Sequence, residues 1–323
     1  MIQNFINNKT PLNPSLTLCI PTLNAGHYAN DLVNAIESQS LKPDSILIVD
    51  SGSTDGSLAL FKRLNAKIIS IPKADFDHGG TRNKAFQMFF SDYYIFLTQD
   101  AIPADQFAFK NLITPLADNQ ECGAVYGRQL PAKNATPFAE HARVFNYPPG
   151  DKPVYKGLND ISQLGIKTVF CSNSFAAYRR EAMDQIGYFP EGTLFAEDSL
   201  AVARMIELGW LVGYCPSATV FHSHNYSFMQ EFCRYFDVGA FHNLNPWLLE
   251  KYSSATGEGL KFIASEYDYL NKRNQRFIFL SVFAKNFVRY SAYRLGRIQN
   301  HIPYFFKTKM TTNKSFWKNY RVI

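Results

Sequence analysis

Four short apolar runs in the first hundred residues, 16–20, 45–50, 66–71 and 93–98, are each closed within two residues by a proline or an aspartate. Helix-compatible stretches separate them. Strands joined through helices pair in parallel, because only a crossover returns the chain to the same end of a sheet. The expected fold class is α/β, a mostly parallel sheet flanked by helices. Ligands of such sheets bind outside the carboxyl ends of the strands. Asp50 and Asp100 fall there.

The chain can fill such a fold. Its 323 residues are 46% hydrophobic and 19% charged, a globular balance with enough apolar side chain for a sizeable core. The five cysteines (Cys19, Cys122, Cys171, Cys215 and Cys233) form no CxxC pair, which points to reduced thiols and a cytoplasmic setting. Residues 1–15 are polar, so no signal peptide is expected. The net charge of +6 is unevenly spread: beyond Asp268 there are twelve basic residues and no acidic one, leaving −6 on the body.

Several motifs carry chemistry. In His78-Gly79-Gly80-Thr81-Arg82-Asn83 two glycines precede a helix, where bare backbone admits a phosphate to the helix N-terminus and Arg82 offers a charged fork; a plain turn is the alternative. Asp100 follows an apolar strand, placed to hold Mg²⁺ or Mn²⁺ against a diphosphate, or else to cap the turn before Pro103. Glu197-Asp198 opens an amphipathic segment whose helix dipole favours ionised carboxylates, as a general base requires. His222 and His224 project the same way from a strand end and are further candidate metal ligands. Asp55, with Gly56 and Ser57, reads as a turn and helix cap.

Taken together, TLCIPTLNAG from Thr17, IVDSGSTDGS from Ile48, HGGTRN, FLTQDA from Phe96 and FAEDS from Phe195 resemble, in that order, the family 2 inverting glycosyltransferases with the GT-A fold. FDHGGTRN, TQDAIP, YGRQLP, SNSFAAYRR and FHSHNYS look most like its bacterial rhamnosyltransferase subgroup. The resemblance spans roughly residues 16–239. It implies that Pro21, Thr22 and Asn24 line the nucleotide, that Asp50 and Ser51 lie near base and ribose, and that His78, Gly79, Arg82 and Gln99 complete the donor site. It further implies Asp100 as metal ligand, Asp198 as base, and Arg128, Gln129, Asn173 and Glu197 as acceptor or sugar residues.

Two departures matter. Ser51 stands where many relatives carry a second aspartate that reads the pyrimidine, which opens the site to thymidine beside uridine. Gln99-Asp100-Ala101 reduces the Asp-x-Asp metal motif to one carboxylate. The implied activity is transfer of L-rhamnose from dTDP-rhamnose to a hydroxyl of a glycan or lipid-linked glycan such as O-antigen. A UDP-hexose donor, a nucleotidyltransferase and a non-catalytic membrane-associated scaffold are the alternatives.

The segment 131–165, with several prolines and two tyrosines, reads as a loop-rich region that either walls the acceptor or merely bridges strands. The expected division is an N-terminal segment 1–15, a catalytic domain 16–240 and a basic, largely helical region 241–323. If 280–302 is helical, Leu280, Ala284, Phe287, Ser291, Leu295, Ile298 and Ile302 form one face, with Lys285, Arg289 and Arg297 opposite. Such a helix lies on the cytoplasmic face of an anionic inner membrane, or packs its apolar face on its own domain and leaves the basic side in solvent. Nucleic acid is not an expected partner, since no binding motif accompanies the basic residues.

Overall fold

The computed structural model describes residues 14–252, 257–273 and 278–320. Most of the expected N-terminal segment, together with Arg276 and Arg321 of the basic tail, lies outside the described residues.

The first half alternates as β1 (Leu16–Thr22), α1 (Gly26–Glu37), β2 (Ser45–Asp50), α2 (Ser57–Phe61), β3 (Lys67–Ser70), α3 (His78–Met88) and β4 (Tyr93–Leu97). It continues through β5 (Ile102–Pro103), α4 (Ala108–Asp118), β6 (Cys122–Leu130), α5 (Pro137–Asn146), β7 (Val154–Lys156) and α6 (Ile161–Leu164). Then come β8 (Phe175–Arg179), α7 (Arg180–Ile186), α8 (Glu197–Glu207), β9 (Leu211–Phe221) and α9 (Phe228–Leu244). The chain closes with α10 (Pro246–Tyr252), α11 (Glu258–Asn271), α12 (Ile278–Arg297), α13 (Tyr304–Met310) and α14 (Lys314–Tyr320).

One sheet runs in the order β3-β2-β1-β4-β8-β6-β9-β5, with β7 added on β9. The expected parallel pairing holds across β3-β2-β1-β4 and again between β6 and β9; β8 runs antiparallel between the two parts. Side chains of β1 alternate between two cores, as a strand period of two requires. Leu18 and Ile20 join Leu32, Val33 and Ile36 of α1 on one face, and Cys19 joins Phe86 of α3 and Ala203 of α8 on the other. Pro21 is tolerated because β1 pairs with β4 only as far as Cys19, so the missing N–H falls where the strand has one neighbour.

Between its loops the stretch 131–165 carries α5, β7 and α6. Thr136 caps α5 by accepting from the Ala139 N–H, and Pro137 takes the first helical position, where it costs no hydrogen bond.

The C-terminal helices decide between the two packings open to the basic helix. Long α12 lies against α9, and a Cβ on Gly239 would sit 2.1 Å from the Tyr293 carbonyl oxygen, one on Gly296 2.1 Å from that of Phe236. Only glycine allows the two backbones this close. The face of α12 turned inward carries Val282, Arg289 and Ala292, while Leu280, Phe283, Phe287 and Tyr290 face outward. Arg289 is buried because Glu231 takes its Nε and Nη2 at 2.9 Å each and fully buried Glu266 takes Nη1 at 2.9 Å. The reading in which the apolar face packs inward and the basic side meets solvent is therefore corrected: a paired carboxylate set makes the arginine the inward residue. Ile302 falls beyond the helix. Residue 240 lies within α9. Among the described residues no helix is long and apolar enough to cross a membrane.

Candidate active site

A cavity of about 550 Å³ opens at the strand ends. Its wall is built by His78 and Arg82 of α3, Thr98 and Asp100 after β4, Gln129 of β6, and Ser172 and Asn173 before β8. Glu197 and Asp198 of α8, and His222 and His224 after β9, complete it.

The two acidic residues enter through an unusual backbone. Ala196 adopts φ 59°, ψ 36°, a left-handed conformation that costs a non-glycine residue on the order of 1 kcal/mol. That turn ends the preceding segment and starts α8 with both carboxylates on the cavity wall. Asn173 ties them together: its backbone N–H donates to Asp198 Oδ2 at 2.9 Å and its side-chain Nδ2 to Glu197 Oε1 at 2.9 Å. Tyr178 in turn donates its hydroxyl to Asn173 Oδ1 at 2.8 Å.

The carboxylates have different environments. Burial would raise Glu197, but the Arg82 guanidinium 3.0 Å away, with His78 and Asn173, holds it below its ordinary value. Asp198 forms no ion pair among the described residues; burial and then the charge of Glu197 raise it to about 7, against the backbone N–H groups of Asn173 and Ser199. One group stays an anion and its neighbour titrates near neutrality, the separation that assigns different roles to paired acids.

Across the cavity, Asp100 Oδ1 lies 3.5 Å from His222 Nε2, and Oδ2 lies 3.7 Å from His224 Nε2. One donor atom from each of the three falls within 4.8 Å of the others. His222 Nδ1 meets Gln129 Oε1 at 2.9 Å; because that oxygen only accepts, Nδ1 is the donor, and Nε2 is the ring atom turned to Asp100. Burial, and then His222, lower His224 to about 4, which keeps its imidazole neutral. A carboxylate and two imidazoles fit a divalent first-row cation, Mn²⁺ better than Mg²⁺.

Other expected residues stand elsewhere or do other work. Pro21, Thr22, Asn24, Asp50, Ser51 and Gln99 lie at the ends of β1, β2 and β4, outside the cavity lining. Asp50 accepts from the N–H groups of Gly52 and Ser53, Asn24 Oδ1 accepts from Thr54 N–H, and Ser51 donates to the Thr22 carbonyl. Gln99 spends its amide on Thr22 and on both backbone groups of Leu23. Asp55 braces the turn before α2, whose N-cap is Gly56: it accepts from Ser57 N–H and hydroxyl, and from Gly26 N–H at the start of α1.

Gly79 does not bare backbone for a phosphate: an added Cβ would meet the Pro190 carbonyl oxygen at 2.1 Å, and the Asp77 carboxylate already caps α3 at Gly80 N–H. Asn173 and Gln129, expected on acceptor or sugar, direct their amides at Glu197 and His222; Glu197 itself is committed to Arg82. Arg128 donates to the Tyr147 carbonyl and does not line the cavity. Residues the sequence reading missed are Arg143, Tyr226 and Arg234, all on the cavity wall. The Thr136-Pro137 cap was the available signal for the helix that carries Arg143.

The glycosyl transferase family 2 pattern matches residues 17–187. The O-antigen chain rhamnosyltransferase RfbN of Salmonella typhimurium is 45% identical over 94% of this chain and 96% of its own, and WbaN of Salmonella anatum, of the same description, 44% identical over 95% and 96%. Among solved structures, the mannosyltransferase PcManGT of Pyrobaculum calidifontis, determined with GDP-Man and Mn²⁺, superposes with a TM-score of 0.59 over 91% of this chain and 89% of its own at 15% identity, which is a likeness of fold. With the sheet-end cavity and its paired carboxylates, these matches make the chain a glycosyltransferase that belongs to glycosyl transferase family 2.

Proposed function

We propose that the enzyme transfers L-rhamnose from dTDP-β-L-rhamnose, with inversion, to a hydroxyl of a growing O-antigen-type glycan. The observation that carries this reading is the near-end-to-end identity with two O-antigen chain rhamnosyltransferases. The local chemistry agrees. Asp198, which forms no ion pair among the described residues and is raised to about 7, takes the proton from the acceptor hydroxyl as the hydroxyl oxygen attacks the anomeric carbon opposite the departing diphosphate. A base matched to the working pH contributes on the order of 10²- to 10⁴-fold. Glu197 stays ionised on Arg82 and keeps Asp198 basic; Asn173 fixes the spacing of the two. Asp100, His222 and His224 would hold a divalent cation, as the Mn²⁺-bound fold neighbour also suggests. Such a cation supplies neutralisation of the diphosphate charge.

The nucleoside belongs with the braced loops at the ends of β1 and β2, where Ser51 leaves room for thymidine. The outward apolar face of α12, interleaved with Arg294 and followed by exposed Phe305 and Phe306, suits the surface of an anionic inner leaflet, where a lipid-linked acceptor would be met. Calorimetric titration with dTDP-rhamnose and UDP-glucose, each with and without Mn²⁺, tests the donor. Tighter, metal-dependent binding of dTDP-rhamnose is expected. Preference for UDP-glucose would remove the rhamnosyl assignment and leave the transferase.

A further inference from the structure

A buried lysine stands behind the active site and plays no part in the chemistry above. Lys156 ends β7 and is 6% exposed. Its Nζ donates to the carbonyl oxygen of Lys167 at 2.8 Å and to that of Phe170. The same atom lies 5.0 Å from the centre of the Tyr126 ring and 5.7 Å from that of Phe170. Lys156 forms no ion pair among the described residues, and Cys171 beside it is a neutral thiol, pushed up to about 12 by burial. Burial lowers the lysine itself to about 7, as expected of an amine held out of water with no anion to answer it. A methionine would fill the same space at less cost, so what the amine alone supplies is its pair of hydrogen bonds.

Those bonds hold the segment that builds one wall of the active site. After α6 the chain makes a tight turn, Gly165–Val169, and runs on to Asn173 before β8 begins. Residues 169–173 all line the cavity, whereas Lys156 does not. The Lys167 carbonyl also closes the turn on Phe170 N–H at 3.2 Å, so Lys156 grips both ends of the last turn. Three residues further on, Asn173 gives its backbone N–H to Asp198 and its side chain to Glu197. Hydrogen bonds weaken steeply with angle, so a shift of this segment reaches the carboxylates directly.

We propose that Lys156 is a positioning residue for sugar transfer: by holding the carbonyls of Lys167 and Phe170 it sets where Asn173 meets Asp198, and so the aim of the base. The inference rests on Asp198 as the base and adds a residue that acts on it from behind the cavity wall.

The test is Lys156→Met in the full chain, because methionine keeps the buried volume and removes the charge and the donors. Transfer from dTDP-rhamnose to an O-antigen-type glycan gives kcat, calorimetry gives dTDP affinity, and melting curves follow the fold; UDP-glucose and UDP replace dTDP-rhamnose and dTDP if UDP-glucose proves the donor. The expected kcat is lower by about 10- to 100-fold, the range for a misplaced catalytic group. The dTDP affinity should stay within about twofold, because its loops stand at the ends of β1 and β2, and the melting temperature should hold or rise. In an Asp198→Asn background the same substitution should cost less than about threefold, since no base is left to aim. The proposal falls if Lys156→Met keeps kcat within about twofold of wild type, if it costs the same factor in both backgrounds, or if dTDP affinity drops as far as kcat. Should Lys156→Met not melt cooperatively, Lys156→Gln, whose shorter neutral arm draws back from the carbonyls, takes its place under the same criteria; failure of both to fold makes the lysine a residue of the fold alone and overturns the proposal. Asp198→Asn transferring at the wild-type rate would overturn the base assignment and this proposal with it, whereas an active Lys156→Met beside an inactive Asp198→Asn overturns this proposal alone.

Discussion

Replacing Glu197 by glutamine should make the base weaker and the protein less stable at once. In the wild type, burial and then the charge of Glu197 raise Asp198, while Arg82 opposes the rise. Removing the like charge, and leaving Arg82 without its partner, both favour the ionised form of Asp198. A neighbouring carboxylate of this kind is worth about one to two pKa units. The acid limb of kcat/KM, expected near pH 7 in the wild type because the base must be unprotonated, should move down by that amount. Arg82 is 4% exposed, so stranding its charge should cost about 3 kcal/mol, the low end for a broken buried pair because the cavity admits water. The assay is the pH profile of transfer between pH 5 and 9, with melting curves on the same samples. A limb that stays at 7, or moves upward, would refute the argument that Glu197 sets the basicity of Asp198.

Gln129→Leu should weaken Mn²⁺ binding by about 10- to 100-fold, the usual effect of removing the group that orients a ligating imidazole; titration followed by electron paramagnetic resonance of Mn²⁺ reads it, and unchanged affinity would exclude His222 as a ligand. Gly296→Ala should lower stability by about 1–3 kcal/mol, because the new methyl must push α12 away from the Phe236 carbonyl. Denaturant unfolding measures it, and a neutral result would mean that the two helices part without cost.

The elements that follow from local pattern were legible in the chain. The strands β1 to β4 lie within a residue or two of their apolar runs, and Glu197-Asp198 do open a helix. What was not legible depends on contacts distant in sequence. Gly79 looks like a phosphate loop until Pro190, more than a hundred residues on, is seen to fill the space over it. Gln129 and Asn173 read as polar residues for a sugar, yet their partners His222 and Glu197 arrive from β9 and α8 and take the amides. Which face of α12 turns inward stayed open because hydrophobic periodicity cannot register that Glu231 and Glu266 wait on α9 and α11 to neutralise Arg289. Arg143 was lost inside a stretch whose prolines outweighed its single helix cap.

The account turns on Asp198, and the most direct measurement is sugar transfer by Asp198→Asn set beside donor affinity of the same protein. The expected result is transfer reduced by about 10²- to 10⁴-fold with dTDP-rhamnose affinity nearly intact, because the amide keeps the shape and lacks the basicity. Transfer within a few-fold of wild type would contradict the assignment of the base, and with it the mechanism proposed for this site.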